Sequence, residues 1–334
     1  MSSTTLNVAV VGATGATGEQ VLAALDASDV VVGSLHAYGS AARSPRVDTV
    51  SFRGESVGVE PIGALANAKP DVAILCVPPA AAAKLAPGLI ARGIVVLDVG
   101  NATAGVLELP LALLGAVPPA EEAAKAGGVR TPSSAGALLA AVCAPLREKG
   151  LSGCSAVVSL AASARGRAGM EELGQQVVAT LNNQDPQRRL FVDGLAFDTV
   201  PEDVATDEWS GAEQLASAEV AGLTGLPEDA IVVQVATQPL FGGVSAGVHL
   251  RGVRLEDVEE ALRGAPGLVA VSRTARLRPR AFLGKPGVAW GRLRADPAGD
   301  GVHLWLVSDD LATAGHAAAR TASWLLGAGL LGGA

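Results

Sequence analysis

Charge is scarce in this 334-residue sequence: Asp, Glu, Lys and Arg together make up 17% of it, against about 25% in an average globular domain. A chain so poor in charge and 49% hydrophobic is not intrinsically disordered. It has enough apolar residues for a sizeable core without metal or disulfide staples. Basic excess is absent too. Lys plus Arg number 25 and Asp plus Glu 33, a net charge of −8, so there is no electrostatic footprint for nucleic acid or anionic lipid. Long hydrophobic runs are missing: the longest, Gly136–Leu146, is too short for a bilayer and contains Pro145. Met1–Asn7 is polar, with neither a charged n-region nor an apolar h-region, and no signal peptide is expected. Cysteine is rare as well. Cys76, Cys143 and Cys154 are odd in number and lack metal-ligand spacing, the pattern of reduced thiols in a cytoplasm. A disulfide scaffold, a zinc protein, a membrane protein and a DNA binder are set aside, and no metal site is expected.

The length suits two domains at roughly 150 residues each. The first opens with Leu6-Asn-Val-Ala-Val-Val11, a short apolar β-type run. Gly12-Ala-Thr-Gly-Ala-Thr-Gly18 follows, then a helical pattern over Glu19–Ala27. Strand, glycine turn and helix make a dinucleotide-binding βα unit. Gly12 allows the tight turn, Gly15 lets the backbone approach a pyrophosphate, and Gly18 permits close helix–strand packing. The spacing is GxxGxxG, and a merely tight βα turn remains the alternative. The second strand, Val30–Ala37, ends without the Asp or Glu that usually holds an NAD ribose. Ser40, Arg43 and Ser44 follow instead, suited to a 2′-phosphate and hence to NADP, the alternative being a solvated basic loop. Further apolar runs at Asp71–Val77 and Ile94–Asp98 alternate with Ala-rich helical stretches such as Ala80–Ala91. This predicts a Rossmann-type, doubly wound parallel sheet buried on both faces, with Cys76 in its core.

After Thr131-Pro132 the character changes. A helix over Ser134–Glu148 is capped by Ser133 or Ser134. β-type runs at Ala156–Ala162, Ile231–Leu240, Gly247–Val253 and Val302–Ser308 are joined by longer, more polar connections, and a helix spans Ala168–Leu181. This reads as an α+β domain with a mixed or antiparallel sheet. A last helix, Leu311–Leu326, shows one apolar or small face through Leu311, Ala314, Gly315, Ala318, Ala322, Leu325 and Leu326, and is expected to return to the first domain. The expected division is 1–131, completed by helix 311–327, and 132–310, with Gly327–Ala334 a frayed tail.

Five segments in order resemble the aspartate-semialdehyde dehydrogenase family over almost the whole chain. They are Val8–Gly18; Ser163-Ala-Arg-Gly-Arg-Ala-Gly-Met-Glu-Glu-Leu173; Leu195-Ala-Phe-Asp-Thr-Val-Pro201; Gln238-Pro-Leu-Phe-Gly-Gly243; and Gly291-Arg-Leu-Arg294 with Leu304-Trp-Leu-Val-Ser-Asp-Asp310. The resemblance implies homodimers formed through the second domain. It also implies reduction of an aspartyl phosphate to the semialdehyde with NADPH, or the reverse, through a thioester on a cysteine. That cysteine opens a helix in an Asn-Pro-Asn-Cys turn, where the helix dipole favours a thiolate. Here the stretch is Thr131-Pro132-Ser133-Ser134, so the nucleophile position is Ser134. The family's glutamine falls on Leu160, its substrate-carboxylate arginine on Thr237, its base histidine on Val244 and its phosphate-gripping arginine on Ala104. Its substrate glutamate has no firm counterpart, Glu208 and Glu213 lying nearby.

A serine hydroxyl is a poor nucleophile without a hydrogen-bonded base. Of the four histidines, His249 lies an odd number of residues from Val244 and so points to the opposite face of a strand; His36 and His303 read as structural. His316 takes a place on the last helix near where the family binds nicotinamide. Cys143 and Cys154 read as core. For the coenzyme, Gly12, Thr14, Gly15, Ala16 and Thr17 match the family loop and Ser163 its serine, while Asp310 stands for an asparagine and Thr313 for a lysine; Arg165 replaces a small residue and could crowd the nicotinamide. This profile is similar to the Usg-type paralogues, which look like the dehydrogenase but lack parts of its site. Three expectations follow: a catalytically silent homologue that binds NADP, an NADP-linked oxidoreductase of altered chemistry, and a structural or partner-binding subunit.

Overall fold

The computed structural model describes residues 5–40, 49–113, 117–202, 209–272 and 275–331. Two compact units divide the chain, residues 1–132 with 314–334, and residues 133–313. The first contains β1 (Leu6–Val11), α1 (Ala16–Asp26), β2 (Val32–Gly39), β3 (Thr49–Phe52), β4 (Glu55–Pro61), β5 (Val72–Leu75), α2 (Pro79–Ile90), β6 (Val95–Asp98), α3 (Ala120–Ala126) and β7 (Gly128–Arg130). The second contains α4 (Ser134–Cys143), β8 (Gly153–Leu160), α5 (Gly166–Leu181), β9 (Val200–Pro201), α6 (Gly211–Thr224), β10 (Ile231–Thr237), β11 (Val244–Arg251), α7 (Leu255–Gly264), β12 (Leu268–Ala270), β13 (Val288–Ala295) and β14 (Gly301–Ser308). The final helix, α8 (Asp310–Gly327), supplies residues to both.

The first sheet has the order β3-β4-β2-β1-β5-β6-β7. All its pairs are parallel except the edge pair β3–β4. Because a strand sends alternate side chains to opposite faces, the apolar residues of β1, interrupted only by exposed Asn7, feed two cores. Leu6, Val8 and Val10 join one with Val21, Leu25, Ala318, Ala322 and Leu325 of α1 and α8. Ala9 and Val11 join the other with Ala82, Ala86 and Leu89 of α2. This is the doubly wound parallel sheet that the alternating strand and helix pattern predicts. Strand order reverses beside β1, and in such sheets ligands sit outside the carboxyl ends of the strands at that switch point. Leu331 is buried in the first core and the Leu330 N–H bonds to the Leu325 carbonyl, so the tail expected to fray is tied down at least that far.

The second sheet, β12-β13-β14-β11-β8-β10-β9, is mixed. Helices α4 and α6 pack against β8, β10 and β11 on one face. On the other, Val157, Val232 and Trp305 are exposed around an open groove of about 460 Å³. Several elements differ from the sequence reading. The helix expected to reach Glu148 leaves the α form after Cys143 and continues as a 3-10 turn over Ala144–Lys149, where Pro145 supplies no amide hydrogen. Strand β10 stops at Thr237 and β11 begins at Val244, so the expected Leu240 and Val253 ends lie in loops. The polar connections hold α6, α7 and β13.

Candidate functional site

In the first unit the glycine turn follows β1. Gly12 has φ +88°, a side chain there would overlap the Cys76 carbonyl, and one at Gly18 would overlap the Gly12 carbonyl. These two glycines are therefore demanded by the fold. Gly15 is not: its φ is −78° and an added Cβ would meet the Gly12 carbonyl oxygen at 3.1 Å, tight but without overlap. The N–H groups of Gly12 and Ala13 both donate to the Tyr38 carbonyl, at 2.8 and 3.1 Å, which fixes the turn against the end of β2. Gly15 is the N-cap of α1, and no side chain caps that helix start. The first amides of a helix have no partner within it and carry its positive dipole end, which suits an anion.

Thr14 and Thr17 are half-buried and Ala16 is buried. Ser40 is exposed directly after β2; a Cβ at the adjacent Gly39 would lie 3.6 Å from Thr14 Oγ1. Gly12, Thr14, Gly15, Ala16, Thr17 and Ser40 thus share one edge of the sheet. Arg43 and Ser44 lie outside the described residues. Asp98 closes β6, buried, its carboxylate accepting from the Ala102 and Thr103 N–H groups and from the Thr103 hydroxyl; burial pushes its carboxyl up. His316 is half-buried on α8, and burial together with Arg320 pushes its imidazole down.

In the second unit Ser134 is the first residue of α4, and the structure selects Ser133 as the cap, its oxygen accepting from the Gly136 N–H at 3.2 Å. Ser133 also donates twice to Glu219, from its N–H at 2.8 Å and from its hydroxyl at 2.6 Å. Gly136 leaves the room this carboxylate occupies. Sequence reasoning missed Glu219, which lies 86 residues from its partner. Glu213 is structural: it closes a capping box with Ser210 and accepts the Val235 N–H at 3.0 Å. Glu208 lies outside the described residues.

Leu160 and Thr237 are direct partners in the parallel register of β8 and β10. Leu160 is half-buried and Thr237 buried. The Thr237 hydroxyl donates to Glu202 at 2.8 Å, and the other Glu202 oxygen pairs with Arg165 at 2.8 Å. A threonine–carboxylate–arginine chain thus occupies the position where the resemblance places a lone arginine. Val244 is buried at the start of β11, paired across the sheet with Ser308. Next to it, the Gly243 N–H donates to Asp310 Oδ1 at 3.0 Å, and the buried Ser163 hydroxyl donates to Asp310 Oδ2 at 2.8 Å. Ser163 and Asp310, both candidate coenzyme contacts, are therefore brought together and bond each other. Burial pushes the Asp310 carboxyl up. Thr313 Oγ1 accepts the Gly287 N–H at 2.9 Å.

Neither Cys76 nor Cys143 stands ready as a thiolate. Burial, with the charge of Asp98 beside it, pushes the half-buried Cys76 thiol far up. Cys143 is pushed up by its hydrogen bond with Cys154 and by burial, and both are fully buried. His249 and His303 face Asp296, away from α4 and α6. No described helix is long and apolar enough to cross a membrane.

Two family models match this chain: a semialdehyde dehydrogenase NAD-binding domain over residues 7–112, and a semialdehyde dehydrogenase dimerisation domain over residues 143–313. The aspartate-semialdehyde dehydrogenase of Legionella pneumophila is 27% identical over 320 residues, covering 92% of this chain and 91% of that protein. A USG-1 protein homolog of Azotobacter vinelandii is 30% identical over 278 residues, 80% of each. The crystal structure of aspartate semialdehyde dehydrogenase II from Vibrio cholerae, complexed with ASA, has the same fold, with a TM-score of 0.86 and 24% identity over 96% of this chain and 98% of that one.

Proposed function

Because the chain belongs to the semialdehyde dehydrogenase family and carries its NAD-binding and dimerisation domains, we propose that it is a member which binds NADP and does not perform phosphorylating dehydrogenation of aspartate semialdehyde. The carrying observation is the joint replacement at four positions of the second unit. Ser134 opens a helix with an alcohol where the chemistry needs a thiolate, Val244 supplies no base, Leu160 no amide, and Thr237 no cation for a substrate carboxylate. Losing the nucleophile or the base of a covalent enzyme costs on the order of 10⁴ to 10⁶ in rate. With both gone there is no path to the thioester.

The first unit keeps what a coenzyme needs. Gly15 is free of side-chain bulk where the fold does not require it, the α1 N-terminus is uncapped, and β2 ends at Tyr38-Gly39-Ser40 with no carboxylate for a ribose diol. Arg43 and Ser44 then favour the 2′-phosphate of NADP over NAD. The open face of the second sheet is the surface for a second copy of the chain, and three unpaired thiols suit a cytoplasmic setting. A second reading, hydride transfer from NADPH to another aldehyde without a covalent step, is favoured by Arg165, a guanidinium beside Thr237 through Glu202.

Calorimetric titration with NADP⁺ and NAD⁺, beside an assay with aspartate semialdehyde and phosphate, tests the proposal. The expected result is NADP⁺ binding tighter than NAD⁺ with no NADPH production. Production well above a mock preparation overturns the loss of activity, and binding of neither coenzyme reduces the first unit to scaffold.

A further inference from the structure

On the open face of the second sheet three side chains meet that no spacing in the sequence announces. His249 on β11 and His303 on β14 are direct cross-strand partners. Asp296 follows β13 in the hairpin leading to β14, its N–H bonded to the Gly301 carbonyl at 2.9 Å. The Nε2 atom of His249 lies 3.2 Å from one Asp296 oxygen and that of His303 lies 3.6 Å from the other. One donor atom from each residue falls within 4.8 Å of the other two.

The geometry points to a binding site for a divalent first-row cation of the zinc class, held by His249, His303 and Asp296; we propose it as a metal site of this chain. Two imidazoles and one carboxylate are the donor set such ions take, and three protein ligands leave a position for water or another ligand. With bonds of about 2.0–2.1 Å, two ligands of a tetrahedral ion sit about 3.3 Å apart. The two nitrogen–oxygen separations bracket that value. The buried His249 Nε2 atom makes no hydrogen bond, although a carboxylate oxygen lies 3.2 Å away. Close approach without hydrogen-bond alignment is how two donors sharing one ion are arranged.

The supports are rigid, with two ligands on adjacent antiparallel strands and the third anchored by the Ala298 N–H at 3.2 Å. Both histidines line the groove of about 460 Å³, which leaves room for a fourth ligand on that side. The imidazole rings stack at 4.4 Å between centroids, 14° from parallel. Sharing an ion requires one ring to tilt out of the stack, a movement the groove has room for. All three protein ligands come from one chain, and the site does not rest on coenzyme binding.

The test takes the full chain after chelator treatment and titrates it with Zn²⁺ by calorimetry and with Co²⁺ by visible absorption. One ion per chain is expected, with cobalt d–d bands and without the intense near-ultraviolet charge transfer of a thiolate ligand. His303→Gln and Asp296→Asn should each weaken binding at least tenfold, an estimate of about the size seen on losing outer-shell partners alone, with unchanged circular dichroism. No uptake of either ion overturns the proposal, as does uptake unaltered in both substitutions. A thiolate signature in the unsubstituted protein, which needs no variant to fold, places the ion on Cys143 and Cys154 and overturns it equally.

Discussion

In each unit the candidate site is built from a different material. In the first unit it is backbone: the carbonyl of Tyr38, the amides of Gly12 and Ala13, and the open start of α1. In the second it is side chains: Ser134, Leu160, Thr237 and Val244, each on the end of a regular element. A site made of peptide groups persists as long as a few glycines keep the chain in place. A site made of functional groups can change its chemistry without disturbing the elements that carry it. Ser134 shows this directly. It opens α4 at the proposed nucleophile position, and the capping work is done next door by Ser133. The identity at position 134 is thereby freed from any duty to the fold.

The contrast can be broken at its strongest point first. Gly12→Val places a β-branched side chain at φ +88° against the Cys76 carbonyl and should cost at least about 3 kcal/mol of stability, read by chemical denaturation. An effect under 1 kcal/mol refutes the view that the loop's conformation is fixed by the fold.

Next in size is Glu172, a buried residue of α5 in the second unit. Burial opposes its charge, but the N–H groups of Arg189, Leu190 and Phe191 and the Gln176 amide bring its carboxyl below the usual range. Glu172→Gln should cost about 1–3 kcal/mol at neutral pH. A carboxyl lowered on folding adds stability that is complete above the ordinary carboxylate range and is lost as pH falls through its lowered value. The penalty of the substitution should therefore shrink on acidification. Asp310, raised by burial, acts with the opposite sign and gains stability over its window as pH falls. Denaturation of Glu172→Gln and Asp310→Asn across acidic pH reads both slopes.

Gly15→Ala sharpens the comparison within the loop itself. It should cost about 1 kcal/mol of stability or less yet weaken NADP⁺ binding by about tenfold, or 1.4 kcal/mol. Equal losses in both would make Gly15 another structural glycine. The smallest effect is predicted for Ser134→Cys. Without a base at 244 or a cation at 237, turnover of aspartate semialdehyde should stay within about tenfold of the blank. A larger gain restores the nucleophile position as the single missing part.

Legibility in the sequence followed the same division. The run Leu6–Val11, the glycine turn and α1 could be read because a mostly apolar run and fixed glycine spacing are local signals. The strand order that brings the end of β2 next to the glycine turn was not part of that reading and comes from the β1–β2 pairing. In the second unit β13 was hidden. Arg292 and Arg294 interrupt its apolar run, and its register slips between Gly291 and Arg294, so no alternation survives. Helix α7 carries Leu255, Val258 and Leu262 on one face, a legible spacing that its Glu and Asp residues disguise as a polar connection. Glu219 and Glu202 were beyond reach for another reason. Each acts on a partner brought near only by tertiary packing, α4 against α6 for Glu219 and the β9–β10 pairing for Glu202, and a lone glutamate in a helix or loop looks like solvated charge. His249 was read correctly as facing away from Val244, but its meeting with His303 and Asp296 required the β11–β14 pairing.

Helix α8 bears on how the protein is made. Ala318, Ala322, Leu325 and Leu331 complete the core that Leu6, Val8 and Val10 begin. During vectorial synthesis the first 132 residues leave the ribosome with that side of their sheet covered by α1 but not by α8, which follows only after residues 133–313 are translated. The second unit has its own sheet and helices in an unbroken stretch and can close first. The nascent first unit meanwhile exposes the apolar residues against which α8 later packs, so burial of that core face waits on a helix translated after the whole second unit.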